Sequence, residues 1–274
     1  CAMVDRFLEQ GFTYFDTAYM YMEYQSEEIL RRAVVERHPR DRFTVADKMP
    51  TMFLKKKEDL PRIFQEQQQK CGVDYFDYYL LHSLNTEHYH IAEKLGAFEF
   101  VSEMKRQGKV KQMGFSFHDT ADVLDTILTQ HPEVDFVQLQ INYLDWDSEK
   151  IQSRLCYETA VRHHKPVIVM EPVKGGSLAK VPQEAELLLR HANPNASVSS
   201  WAIRYAASLD QVMMVLSGMS TVEQLEDNTG YMKDFQPLTP EEENLVEQVK
   251  GIIQDSIAIP CTGCEYCTDG CPQE

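Results

Sequence analysis

The run Cys261-Thr-Gly-Cys264-Glu-Tyr-Cys267-Thr-Asp-Gly-Cys271-Pro272 packs four thiolates into eleven residues with the spacing C-x2-C-x2-C-x3-C-P. That spacing suits an iron–sulfur cluster, because three thiolates at tight intervals can wrap one corner of a cubane. Zinc sites more often divide their ligands into two separated pairs. The sequence therefore predicts a 4Fe–4S cluster on Cys261, Cys264, Cys267 and Cys271, with a zinc knuckle or disulfides as the alternatives. A second group of side chains suits acid–base chemistry. Asp16 ends one apolar segment, Tyr21 follows five residues later, Lys48 ends Phe43–Lys48, and His82 ends Tyr78–His82.

A phenol with a pKa near 10 serves as a general acid when a neighbouring ammonium makes its proton easier to give up. Lys48 supplies the ammonium, Asp16 holds that ammonium charged and aimed, and His82 donates a hydrogen bond to a substrate carbonyl oxygen. Acid catalysis by a positioned group is worth about 10²- to 10⁴-fold. Each residue alone has a plainer reading: a turn cap, rim packing, a solvated lysine, a satisfied core histidine. Together they occupy the ends of three consecutive apolar strands, and that coincidence favours a site.

The elements that must position them alternate between helix and strand. Helical spacing is expected over Val4–Gln10, Ser26–Glu36, Leu60–Cys71, Ile91–Gln107, Ala121–Gln130, Ser148–His163, Ser197–Ser208 and from Val222. Strands are expected over Phe12–Ala18, Phe43–Lys48, Tyr75–Leu81, Val110–Phe115, Phe136–Ile141, Pro166–Met170 and Val212–Leu216. Seven βα units with no second domain predict a parallel sheet closed as an α/β (β/α)8 TIM barrel, its first strand upstream of Cys1. The barrel is expected over residues 1–236. Residues 237–274 would hold an acidic helix, Pro240–Asp255, and the start of a ferredoxin-like iron–sulfur segment.

Phe15-Asp16-Thr17-Ala18-Tyr19-Met20-Tyr21, the strand-ending Lys48 and Leu80-Leu81-His82 resemble the aldo/keto reductase superfamily, whose tetrad is Asp, Tyr, Lys and His in this order. The likeness continues through Gly114-Phe-Ser116, Gln138–Asn142, Glu171–Gly176 and Ser217–Asn228. With the cysteine run it is most similar to the ferredoxin-like branch of that superfamily. The resemblance implies an NAD(P)-dependent carbonyl reductase. Ser116 and Gln138 would hold the nicotinamide carboxamide; Gly175, Gly176 and Ser177 would line the pyrophosphate; and Gly218, Ser220, Thr221 and Asn228 would meet the adenosine end. Three positions depart from the family pattern. Phe117 replaces an asparagine, Met170 replaces the aromatic that stacks on nicotinamide with Glu171 beside it, and Gln224 replaces the arginine that reads a 2′-phosphate. NADH is thus expected at least as readily as NADPH.

A nicotinamide delivers two electrons and a cluster usually moves one. The cluster is therefore expected to exchange electrons with a partner protein, with a structural clasp on the tail or single-electron transfer to the substrate as the alternatives. The alternative to an enzyme is a redox-sensing or binding scaffold with a degenerate nicotinamide site. A formal charge of −16 disfavours nucleic acid and anionic membranes as partners. Scattered Cys1, Cys71 and Cys156 give no disulfide framework and suggest a reducing cytoplasm. The resemblance implies a small carbonyl or similar substrate, with His82–Leu95 as a candidate pocket wall. Anaerobic reconstitution followed by iron and acid-labile sulfide analysis should return both elements in cluster proportion. A protein that retains only zinc would overturn the cluster.

Overall fold

The computed structural model describes residues 1–256, so the cluster ligands Cys261, Cys264, Cys267 and Cys271 lie outside the described residues. Seven parallel strands pair in sequence order: β1 (Tyr14–Asp16), β2 (Thr44–Met49), β3 (Phe76–Leu84), β4 (Val110–Phe117), β5 (Phe136–Gln140), β6 (Val167–Met170) and β7 (Val212–Val215). All seven strands expected within this chain are present, as one parallel sheet. No pairing joins β7 to β1 among the described residues.

The sheet is nonetheless curled. Tyr14 on β1 meets Tyr78 on β3 with ring centroids 5.0 Å apart, and Tyr78 meets Phe136 on β5 at 5.6 Å, across strands that are not neighbours. Ala46, Leu80, Phe136 and Ile168, from β2, β3, β5 and β6, form one interior cluster with Tyr14, Tyr78 and Met214 against it. The outer ends also approach, because helix Ala2–Glu9 packs on helix Val222–Lys233 and Arg6 bonds Glu226 at 3.2 Å.

Alternation along a strand sends every second side chain to the same face. The residues two positions beyond the interior cluster are therefore the next interior layer: Asp16, Lys48, His82, Ser116, Gln138 and Met170. An apolar floor and a mostly polar ceiling thus arise from the same periodicity. The other face of the sheet carries Val45, Tyr79, Leu81, Phe115, Val137, Leu139 and Val169 into a larger core shared with the helices. Lys48, Ser116 and Gln138 are almost wholly buried.

Local differences from the expected elements have local causes. Ile91–Gln107 is two helices, Thr86–Leu95 and Ala97–Arg106, because Gly96 adopts φ 73° and ends the first. Ser26–Glu36 starts as α-helix over Ser26–Leu30 and continues as a π-turn over Arg31–Val35. Ser148–His163 becomes helical only at Ser153. Helix Gln183–Ala192 was not expected. Its buried pair Ala185 and Leu189, one turn apart, was its signal, and it shares a core with Val246, Val249 and Ile253 of helix Pro240–Ser256.

Gly114 on β4 makes room for Phe136. A Cβ there would stand 2.6 Å from the Phe136 carbonyl oxygen and 2.7 Å from its ring, and the backbone atom cannot swing aside. Gly114→Ala should therefore cost about 1–3 kcal/mol in chemical denaturation. An unchanged midpoint would contradict this packing.

Candidate active site

Lys48 is fully buried, and a bare ammonium in that position would be costly. Its Nζ donates to Asp16 Oδ1 in a short ion pair and to the Thr17 carbonyl at 2.8 Å. Pairing of β1 with β2 sets Asp16 opposite Ala46, so the carboxylate on one strand reaches the ammonium two residues along the next. Burial works against the charge on Lys48, but Asp16, with Tyr21, outweighs it and holds the ammonium above its ordinary pKa.

The backbone of Lys48 is fixed from behind the sheet. Its N–H donates to Asp47 Oδ1 at 2.8 Å and its carbonyl accepts from Gln67 Nε2 at 3.0 Å. Asp47, Glu27, Gln67, Cys71 and Tyr79 form a wholly buried polar group there, with Lys70 3.4 Å from Glu27. Burial first, and then Glu27, raises the Asp47 carboxyl well above the usual range. Burial also raises Glu27 and the Cys71 thiol. These residues lie on the face opposite Lys48, and the sequence reading missed them. The signal was available as an acidic residue next to Lys48 in an otherwise apolar strand.

Tyr21 lies with its ring centre 4.9 Å from Lys48 Nζ and 5.6 Å from the His82 ring, edge-on. The residue is 38% exposed, opening the site to solvent on that side. Burial raises the phenol, Lys48 opposes that shift and Asp16 adds to it, leaving the pKa above its ordinary value. The neighbouring ammonium was expected to ease ionisation. It does, but desolvation prevails and Tyr21 stays a protonated phenol. The turn after it, Met22, Glu23 and Tyr24, runs through three positive φ values of 51°, 54° and 67°. That places a sharp left-handed bend directly behind the phenol.

His82 is buried, its Nδ1 has no partner, and burial followed by the Lys48 charge lowers its pKa to about 3. It is therefore a neutral imidazole that can donate one N–H. Ser83 follows with φ 57°, and its N–H donates to Ser116 Oγ at 2.7 Å, tying the end of β3 to β4. Ser116 and Gln138 are register partners on β4 and β5, both buried, and Gln138 Oε1 has no partner.

The remaining predicted positions follow β6 and β7, and most of them are already engaged. Gly175 N–H donates to Glu171 Oε2 at 2.7 Å, Gly176 N–H to the Val173 carbonyl at 3.0 Å, and Ser177 N–H to Lys174 at 3.1 Å. Ser220 N–H donates to Gln224 Oε1 at 2.7 Å, and Thr221 caps helix Val222–Lys233 through Gln224 N–H. Asn228 donates to Ser217 Oγ at 2.9 Å and accepts from Tyr231 at 2.7 Å, while nothing would meet a Cβ at Gly218. Two cavities lie outside this set. One of about 530 Å³ is lined by Ser197, Arg204, Asp227 and Tyr231, and one of about 150 Å³ by Phe117, His118, Leu139 and Cys156.

The family model for the aldo/keto reductases matches residues 1–250. The chain belongs to the aldo/keto reductase family. An aldo-keto reductase of Mycobacterium avium is 27% identical over 252 residues, covering 85% of this chain and 82% of that protein. Among solved structures, the holo form of an aldo-keto reductase from Bacillus halodurans aligns with TM-score 0.69 and 22% identity, over 90% of this chain and 85% of that one. An aldo/keto reductase from Klebsiella pneumoniae in complex with NADP and acetate aligns with TM-score 0.71 and 19% identity, over 91% and 84%. Among the described residues of this aldo/keto reductase, no group of three metal-binding side chains occurs and no helix is long and apolar enough to cross a membrane.

The low pKa of His82 has a consequence for stability. Between about pH 3 and 6.5 the unfolded chain binds a proton at His82 that the folded chain refuses. Stability from this residue is thus complete above the unfolded value and falls as pH drops, by up to about 1.4 kcal/mol per pH unit. Urea unfolding from pH 7 to 4 should show a shallower acid slope for His82→Asn than for the parent chain. Equal slopes would show that His82 titrates normally.

Proposed function

We propose that this aldo/keto reductase reduces a carbonyl or related small substrate with NADH or NADPH, with Tyr21 as proton donor. The observation that carries this reading is the interior layer in which the Asp16–Lys48 pair, its lysine fully buried, and neutral His82 stand beside Ser116 and Gln138, with the ring of Tyr21 against Lys48 and His82. The nicotinamide end of a cofactor fits that layer. The orphaned Gln138 Oε1 suits a carboxamide N–H₂, and the Ser116 hydroxyl, whose oxygen accepts from Ser83, still has its own proton to donate. A bound nicotinamide would supply the hydride. Gln224 in place of an arginine, turned onto Ser220, gives no reason to exclude NADH.

The protein's own residues handle the proton. Tyr21 remains protonated until a substrate oxygen gains negative charge, and Lys48, held charged by Asp16, then favours the phenolate left behind. Neutral His82 has an N–H to place on the same oxygen, and its low basicity prevents it from competing for the proton. The cysteine run supports a 4Fe–4S cluster and an electron-transfer partner by sequence alone. A second reading, a sensing or binding scaffold, draws support from the engaged N–H groups of Gly175, Gly176 and Ser177.

Tyr21→Phe should lower kcat for an aldehyde by about 10²- to 10⁴-fold while dinucleotide binding persists. Turnover that survives the substitution would remove Tyr21 from the chemistry, and binding without any turnover in the parent chain would favour the scaffold.

A further inference from the structure

The turn after β6 is built like an anion site but fills itself. Gly175 and Gly176 have φ 59° and 92°, and nothing lies within 4 Å of a Cβ at either, so the turn is open on its outer side. Backbone carbonyls already take the N–H groups of Gly176 and Ser177. The Gly175 N–H instead meets a carboxylate, Glu171 Oε2, at 2.7 Å. Glu171 is held in position by an unusual backbone. It adopts φ 57°, which side-chain-bearing residues rarely do, and its carbonyl accepts from Asn142 Nδ2 at 3.2 Å.

The cation of the turn is withheld as well. Lys174 Nζ reaches Asp145 Oδ1 at 2.6 Å and Oδ2 at 2.8 Å, and Asn142 Nδ2 bonds the same carboxylate at 2.9 Å. One amide, Asn142, therefore binds both the carboxylate that holds Lys174 back and the backbone of the residue that caps Gly175.

We infer that Glu171 is a resident competitor for the pyrophosphate of the dinucleotide. Its carboxylate occupies the Gly175 N–H and must swing away, with its charge, before a phosphate oxygen can take that donor. This rests on the reading of Gly175–Ser177 as the pyrophosphate turn. A carboxylate and a phosphate are both acceptors of charge-assisted hydrogen bonds and cannot share one N–H, so the competition lowers affinity for phosphate-bearing ligands alone. Glu171 thus sets how much dinucleotide the protein holds at a given concentration, and it is a positioning residue that takes no part in the chemistry.

The test compares the full chain with Glu171→Ala and Glu171→Gln by titration calorimetry and intrinsic fluorescence, using NADH, ADP-ribose and phosphate-free nicotinamide riboside as probes. Thermal unfolding confirms that the variants fold. Glu171→Ala should bind NADH and ADP-ribose about tenfold more tightly, a change of about 1.4 kcal/mol, and leave nicotinamide riboside unchanged. Glu171→Gln, which keeps an acceptor but loses the charge, should fall between. Unchanged or weaker dinucleotide binding in both variants, where the parent chain does bind, overturns the inference and leaves the cofactor reading standing. A gain for nicotinamide riboside as large as for NADH overturns it too, since the effect would not lie at the phosphates. Absence of dinucleotide binding in all three proteins removes the cofactor reading, and the inference falls with it.

Discussion

An ammonium with no exposed surface is the constraint around which this molecule is arranged. Lys48 can stay charged inside the curl only because Asp16 on the adjacent strand and the Thr17 carbonyl meet it there. Removing one partner of such a pair costs far more than its net worth, because the charge left behind has no water. The demand fixes the register of β1 against β2, and the side chains behind the sheet fix the lysine's own peptide groups. The phenol and imidazole then take their properties from that charge. It eases ionisation of the one and discourages protonation of the other.

Much of this arrangement was legible in the sequence because strand alternation is legible. Tyr14 and Asp16, Ala46 and Lys48, Leu80 and His82, and Phe136 and Gln138 each read as an apolar residue followed two positions later by a polar one. The repetition of that step puts Asp16, Lys48 and His82 on one rim, and Tyr21 joins them from the segment after β1. Periodicity gives a face but not the environment beyond it. Asp47, Glu27, Gln67 and Cys71 come together from β2 and two helices, and no local pattern links them. Helix Gln183–Ala192 hid for a related reason, since its narrow buried stripe is completed only by the distant helix Pro240–Ser256.

The two ends of the expected cofactor site differ in how well the sequence describes them. At the nicotinamide end, side-chain identity carries the chemistry, and Ser116 and Gln138 meet as neighbours with a hydroxyl proton and an amide oxygen to spare. At the phosphate end, backbone N–H groups carry it. Glycines indicate where the chain can turn, whereas hydrogen bonding within the turn decides whether a donor is free. The family resemblance pointed to Gly175 and Gly176 as residues lining a pyrophosphate but could not reveal that their N–H groups are occupied.

The acids behind Lys48 have a consequence for the field inside the curl. Asp47 and Glu27 share a dry space with Lys70 as the nearby cation, and both carboxyls are driven towards their protonated forms. The resistance of Asp47 to ionisation weakens its pull on the ammonium across the strand while its Oδ1 goes on accepting the Lys48 N–H. Lys48 therefore answers chiefly to Asp16 and then to Tyr21, on the inner side of the sheet. A single layer of β-sheet thus separates acids that resist ionisation from an ammonium that keeps its charge, and that charge is directed towards Asp16 and Tyr21.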